Sequence, residues 1–435
     1  MDQSAPGNKA KQALALSVIS LFAMGVCALT IRGSVSALKP EHVYRKDILQ
    51  EYLLGKALAE GKNPYLPIPE LASEYLGDLP NTVFPHPTPH PPLVALVSLP
   101  LANFEYPVAA AIWLVIELGC IITALFILLR KGDPRPPWWF LPPIIALFLG
   151  TEAYFRELVL GQLQSIVLLL LIWTWLAFKE GRDWLTGVSL GAALALKFLG
   201  WPILLFLAFR RRWKALTASL LSAVSFTAAS ALVMGIGPIT EFYLRVGPQV
   251  SQLYRGDPSN IALSSIGWRV FSGTGSQVLV ALSAPPLLHW PLGAAILSVL
   301  LPVVFAVVAV WAAHRMRSLD AAFALLLCAS SLVSPIAWVH YALLGSPAVI
   351  WIWKLLHPSG FPRIQTLTAF ALSLCLFIPT DLLNVGSILL TGGSPVPNEG
   401  MTVPFSAALL TLLPTITLVG LCALLWRLSR PLLSR

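Results

Sequence analysis

The sequence predicts an all-α, polytopic membrane protein with about twelve transmembrane helices and a large first extracytoplasmic loop that carries amphipathic surface helices. Three observations carry this. Of the 435 residues, 57% are hydrophobic and only 11% are charged, against about 25% charged in a soluble domain. Mean hydropathy is +0.76. The apolar residues gather in runs of membrane-spanning length, separated by short segments rich in Lys and Arg. The net charge of +9 therefore fits cytoplasmic loops and does not imply a nucleic-acid partner. The five cysteines all fall inside apolar runs without ligand spacing, so they read as packing residues, not as disulfides or a metal site. No linker separates the runs, and residues 1–435 form one domain.

The elements follow in order. Ala13–Ile31 is the first span, a retained helix whose preceding Lys9 and Lys11 put the N-terminus inside. The outer loop from Arg32 to about Pro92 opens with a helix over Tyr44–Glu60. Ile48, Leu49, Leu53 and Tyr52 give it an apolar side, Asp47 and Glu51 share the other, and Gly61 and Pro64 stop it. The run Asn81–Pro92 is too rich in proline for helix, and those prolines keep His86 and His90 from aiming at one ion. A structural loop is the expected role for it. Leu93–Phe104 is too short to cross. Tyr106–Leu129 returns inside to Arg130 and Lys131, Trp138–Tyr154 goes out, and Leu163–Phe178 comes back.

Trp184–Phe209 has basic flanks at both ends, so it reads as two short helices that meet near Lys197–Pro202 on the outer side. Lys197 is then an ionisable residue near the outer membrane level, where such residues are rare and functional. Ala215–Met234 leads to a second outer loop, Gly235–Leu288. Trp290–Ala313, Ala321–Trp338, Ala342–Trp353 and Ile364–Thr380 alternate across the membrane. A third outer loop, Asp381–Val403, and the span Pro404–Trp426 complete the chain. Long outer loops and short basic inner ones put any chemistry at the outer face. No GxxxxGK[ST] run is present, so no nucleotide-binding loop is expected.

Several marks occur together: GKNPY in the first outer loop behind an acidic residue, then HPTPHPPL, GQLQ, GVSLGAALALKFLGWP before RRRWK, NIALSSIGWRVF and SPIAWVHY. In this order and topology the chain resembles glycosyltransferase family 87, over most of its length. The chain departs from the family where Gln164 and Tyr341 stand, positions at which the family often has Asn and His. The resemblance implies a GT-C-like fold. It also implies a multi-pass enzyme of the inner (plasma) membrane that moves a sugar, mannose by expectation, from a polyprenyl-phosphate donor to a glycolipid or glycan hydroxyl at the extracytoplasmic face. Inversion without metal or other cofactor is expected, because Lys, Arg and His can meet a lipid monophosphate leaving group.

Under this resemblance Asp47 is the expected general base, with Glu51 one turn away as its rival. Glu51, Arg156, Gln162, Lys197, Arg269 and His340 are the expected substrate-binding residues, and Lys197, Arg269 and His340 are expected to share a phosphate cavity. The four cations have structural readings of equal weight: Arg156 and Arg269 as interfacial anchors, Lys197 paired with Glu117, His340 bonded to Tyr341. The competing class is a transporter or flippase, which twelve crossings and an intramembrane lysine also fit.

Overall fold

The structure, a computed structural model, describes residues 6–77, 79, 84–275, 282–391 and 401–430. Residues 81–83 of the proline-rich run, 392–400 of the third outer loop, Arg435 and the side chains of Lys9 and Lys11 lie outside the described part. The first half comprises α1 (Pro6–Ser36), α2 (Ile48–Ala59), α3 (Ile68–Leu76), α4 (Pro92–Ser98), α5 (Tyr106–Lys131), α6 (Leu141–Leu149), α7 (Glu152–Leu160), α8 (Gln164–Lys179), α9 (Asp183–Leu196), α10 (Trp201–Phe209) and α11 (Trp213–Met234). The second half adds α12 (Ile236–Glu241), α13 (Gly247–Leu253), α14 (Leu263–Phe271), α15 (Pro291–Arg315), α16 (Leu319–Leu332), α17 (Ser346–Leu356), α18 (Arg363–Cys375), α19 (Thr380–Leu389), α20 (Phe405–Ala408) and α21 (Leu413–Ser429). Two short strands, β1 (Leu282–Ser283) and β2 (Met401–Thr402), pair in parallel with Leu282 opposite Met401.

The all-α membrane architecture is as expected, but the count differs. Among the described residues six helices are long and apolar enough to cross a membrane, or seven if the α18–α19 pair, bent by 91°, is one span. Five further apolar helices have 10–17 residues. Hydropathy counts apolar residues and carries no information about axis direction. The run Trp138–Tyr154, which reads as one crossing, breaks at Gly150 and Thr151 into α6 and α7. Leu93–Phe104 is a short broken helix, as its length requires. The predicted bend near Lys197–Pro202 is there too: α9 ends at Leu196 and α10 begins at Trp201. The second outer loop contains three helices, α12 to α14.

Helix ends sort the molecule into two poles. Lys179, ending α8, donates to Lys131 O at 3.1 Å and pairs with Asp320 at 2.9 Å. Lys354, in the last turn of α17, donates to Gly132 O at 2.9 Å. Arg212, after α10, pairs with Asp183 at the start of α9. These basic ends form one pole. The other holds the start of α2, the start of α8 and the end of α9, about 20 Å away along a 14-residue helix. Asp47 and Arg210 are therefore at opposite poles.

Between them α16 is buried from Ala321 to Leu332, while α1, α11 and α15 turn Leu, Val and Ile outward, the face a lipid would meet. Gly187 and Gly191 of α9 let α11 close in, since a Cβ at Gly187 would lie 2.2 Å from Ala218 Cβ. In the first loop α3 is the amphipathic surface helix, burying Ile68, Leu71 and Ala72 with Glu70 and Glu74 outside. α2 is different: every residue from Ile48 to Leu58 except Lys56 is buried. Its polar side faces the interior and not solvent.

Candidate functional site

The chain turns sharply at Lys46 and Asp47, between a single helical turn at Val43–Arg45 and α2. The buried Lys46 ammonium donates to Leu158 O at 3.0 Å and to Val159 O, carbonyls of the last turn of α7 that have no partner within their helix. Gly161 ends α7 in the left-handed region, φ +77°, and a Cβ there would lie 2.9 Å from Ile48 Cβ. This glycine therefore permits both the turn and the contact with α2. The next residue, Gln162, is thereby placed beside Asp47. Asp47 stands at the N-cap of α2 but makes no cap bond. Its Oδ2 accepts from Gln162 Nε2 at 2.5 Å instead, which turns the carboxylate away from its own helix.

The other end of the Gln162 amide faces Lys197, whose Nζ donates to Gln162 Oε1 at 3.4 Å. Lys197 lies where α9 stops, in an extended conformation, with Nζ 4.8 Å from the centre of the Tyr341 ring. Tyr341 and the buried His340 belong to a helical turn, Val339–Gly345, and His340 Nε2 has no hydrogen-bond partner among the described residues. His340 is within electrostatic range of Lys197, His90 and Arg156. Asn260 holds the segment before them: its Oδ1 accepts from Ala262 N and Ala337 N, each at 3.1 Å, and Ile261 N donates to Ala337 O at 2.7 Å. The NIALSS and SPIAWVHY runs are thus one brace behind His340.

Burial pushes the Asp47 carboxyl up to about 7, helped by the nearby Glu51 charge and opposed by Gln162, Lys197 and Lys46. Burial likewise pushes Glu157 up to about 7, although Glu157 Oε1 accepts the Ser165 N–H at 2.6 Å. The Lys46 ammonium is pushed down to about 8 by burial, against the pull of Glu117 and Asp47. A carboxylate that changes charge near neutrality, reached by a cation through one amide, is suited to take a proton. Glu51 is fully buried, with Oε1 2.8 Å from His90 Nδ1. Burial holds the His90 imidazole below its ordinary value, against the pull of Glu51.

The structure thus gathers Asp47, Gln162 and Lys197 in direct contact, with Glu51 and His340 in electrostatic range. Arg156 is in electrostatic range of His340 but is paired with acids of its own, and Arg269 is elsewhere. Arg156 Nε donates to Glu152 Oε1 at 2.8 Å and its Nη2 bonds Asp381, which ties α7 to α19. Arg269 bonds Thr411 Oγ1 and Ala408 O in a pocket between α14 and the α20 segment. A surface cleft beside Asp47 is lined by Tyr44, Arg45, Lys46, Gln50, Ile68 and Phe84. Sequence reasoning missed Lys46, His90 and Glu157. Their roles depend on contacts across 112 residues for Lys46 and on a loop path for His90, and no local pattern reports either.

The model of glycosyltransferase family 87 matches residues 89–335, more than half of the chain. The chain belongs to glycosyltransferase family 87. Within 179 residues it is 28% identical to an alpha-(1->3)-arabinofuranosyltransferase of Mycobacterium tuberculosis, covering 40% of this chain and 41% of that protein. It is 25% identical over 284 residues to a polyprenol-phosphate-mannose-dependent alpha-(1-2)-phosphatidylinositol pentamannoside mannosyltransferase of the same species, covering 62% and 59%. A relative of the latter name from Mycolicibacterium smegmatis is 28% identical over 218 residues, covering 46% and 51%. The chain thus spans about two fifths to three fifths of the curated family relatives it matches. No solved structure matches it.

Proposed function

We propose that this family 87 protein is an integral membrane glycosyltransferase that passes a sugar from a polyprenyl-phosphate donor to a hydroxyl of a glycolipid or glycan. Its site faces the extracytoplasmic side of the plasma membrane, opposite the basic pole. The observation that carries the reading is the Asp47–Gln162–Lys197 arrangement: a carboxylate poised near neutrality, linked through one amide to a cation. In the reaction the acceptor oxygen attacks the anomeric carbon as the bond from that carbon to the phosphate oxygen breaks. Asp47 takes the hydroxyl proton, and the bond's electron pair leaves with the phosphate. The phosphodiester monoanion thereby becomes a monoester dianion, and Lys197 and His340 meet the charge that develops. A single displacement inverts the anomeric centre, and the Lys197 ammonium, with the His340 imidazole as a hydrogen-bonding neighbour, suits a monophosphate leaving group without a metal. The cleft beside Asp47 supports approach of the acceptor from the Tyr44–Phe84 side.

Mannose is the donor sugar that we favour, on the strength of the relative matched over 284 residues, whose name states polyprenol-phosphate-mannose dependence. The second reading is arabinofuranose, favoured by the name of the relatives matched over 179 residues. Radiolabelled polyprenyl-phosphate mannose and polyprenyl-phosphate arabinofuranose, each offered to purified protein with an extracted lipid acceptor fraction, separate the two. Label moves into acceptor from mannose and not from arabinofuranose under the first reading. Transfer from neither, by protein that is folded, removes both.

A further inference from the structure

Gln50 stands in the first turn of α2, three residues after Asp47. Side chains at that spacing leave a helix on one face, with Cβ atoms about 5–6 Å apart. Both line the cleft beside Asp47, together with Tyr44 and Phe84. Gln50 is only 7% exposed, and its side-chain Oε1 has no hydrogen-bond partner among the described residues. Its backbone is what serves the fold: Gln50 N donates to Asp47 O at 2.9 Å, and Gln50 O accepts from Thr88 Oγ1 at 3.5 Å. A buried carbonyl left unpaired costs about 1–3 kcal/mol, and here the orphan belongs to a residue of the cleft wall. Phe84, half-buried, supplies a fixed aromatic wall to the same cleft. The His86 ring stacks on it with centroids 5.5 Å apart and planes at 17°, and His86 Nε2 lies 2.7 Å from Tyr254 OH. The cleft holds about 220 Å³. Sites that enclose a drug-sized ligand hold about 300–1,000 Å³, so this one has room for a single sugar unit and not for a longer glycan.

We propose that Gln50 sets the choice of acceptor: its Oε1 accepts from the hydroxyl next to the one that Asp47 deprotonates, so the acceptor class is a terminal sugar with two neighbouring free hydroxyls. This deepens the reading of Asp47 as the base of a transferase and rests on it. A hydroxyl can donate and an amide carbonyl can only accept, so the pairing is complementary. Two acceptors on one helical turn, a carboxylate and a carbonyl, meet two donors on adjoining carbons of one ring. A terminal sugar that lacks the neighbouring hydroxyl leaves Oε1 buried and unpaired. That is the penalty by which a site built to bond a hydroxyl rejects an analogue without it. The apolar C–H face of the ring lies against Phe84. Gln50 takes no proton in this scheme, so its effect falls on binding of the acceptor and not on the donor.

The test uses the full-length protein in detergent, with polyprenyl-phosphate mannose and polyprenyl-phosphate arabinofuranose as donors. The acceptors are octyl α-mannoside and octyl α-arabinofuranoside, each with its monodeoxy analogues, beside the extracted lipid fraction. Wild type transfers to at least one octyl glycoside, and removing the hydroxyl next to the receiving position lowers kcat/KM about ten- to hundredfold. Gln50→Met keeps the shape of the side chain and removes the carbonyl. It lowers kcat/KM for the parent glycoside by a similar factor, mainly through the acceptor KM, and has no further effect on that deoxy analogue, the non-additivity of two groups that meet. Thermal unfolding of Gln50→Met lies at or above the wild-type midpoint, because an unpaired buried carbonyl has gone. Equal losses on parent and deoxy analogue, or a lower midpoint with an unchanged acceptor KM, make Gln50 structural and overturn the inference. Transfer by wild type into the lipid fraction but to no octyl glycoside overturns the single-sugar cleft and leaves the transferase reading intact. Transfer from neither donor into any acceptor, by protein that is folded, overturns the transferase reading and this inference with it.

Discussion

Asp47 occupies a place that costs the fold stability. Its carboxyl is raised from an ordinary 3.8 to about 7, so the folded chain favours the neutral acid. The penalty is full above about pH 7 and fades as pH falls from 7 toward 4, where the unfolded chain also protonates. Asp47→Asn removes the charge and keeps the hydrogen-bonding shape. It should therefore stabilise the protein at pH 8, by at most about 4 kcal/mol, and by clearly less at pH 5. Thermal unfolding of the two proteins in detergent at both pH values checks this, and an equal or lower midpoint for the variant at pH 8 refutes it. The same protonation predicts that transfer by wild type falls on the acid side of about pH 7, read from kcat/KM against pH. At this scale the sequence was informative where a residue type is rare in its setting. A lysine inside an apolar run pointed to Lys197, whereas Asp47 was reached through the family resemblance. Lys46, next to Asp47, gave no such sign, because its partners are backbone carbonyls 112 and 113 residues away.

At the scale of elements, the site depends on one turn and one brace. Gly161 combines a left-handed backbone with a close approach to Ile48. Gly161→Ala adds the left-handed penalty of about 1–2 kcal/mol and pushes α7 from α2, which moves Gln162 off Asp47. The expected outcome is a lower unfolding midpoint together with at least a tenfold loss of transfer, measured on the same preparation. Unchanged transfer would mean that Gln162 has no part in setting Asp47. Asn260→Ala strips the buried brace of its bonds to Ala262, Ala337 and Tyr254 and should cost about 2–4 kcal/mol, shown by chemical or thermal unfolding. Element boundaries were legible where the chain carries its own punctuation, as at the Lys197–Pro202 bend. α2 was misjudged as a surface helix because its period-3.6 pattern shows one apolar side and says nothing of what covers the other. Here α4, α5 and the His90 loop cover it, and these arrive from later in the chain.

For the whole molecule, the arrangement of poles makes the orientation testable. On the orientation we propose, the basic pole with Arg130, Lys179, Arg212 and Lys354 faces the cytoplasm and Asp47 lies outside. All five native cysteines lie within helices as free thiols. A single added cysteine at exposed Lys62, in a background with these replaced by Ala or Ser, should react with a membrane-impermeant maleimide in intact cells. One at exposed Arg211 should react only after the cells are opened. The reverse pattern would invert the topology and place the chemistry inside. Composition established the membrane class from the outset, since no soluble core could be built with so few charges. The number of crossings was not legible, because bends such as that between α18 and α19 depend on what packs around them.

The central claim is that Asp47 receives the acceptor proton. The most direct measurement is sugar transfer from a polyprenyl-phosphate donor by purified Asp47→Asn protein, with donor binding assayed separately. The predicted result is a loss of about two to four orders of magnitude in turnover, with donor binding retained and a smaller effect for Glu51→Gln. Near wild-type turnover by Asp47→Asn would contradict the account, and loss of donor binding along with turnover would make Asp47 a substrate-positioning residue instead of the base.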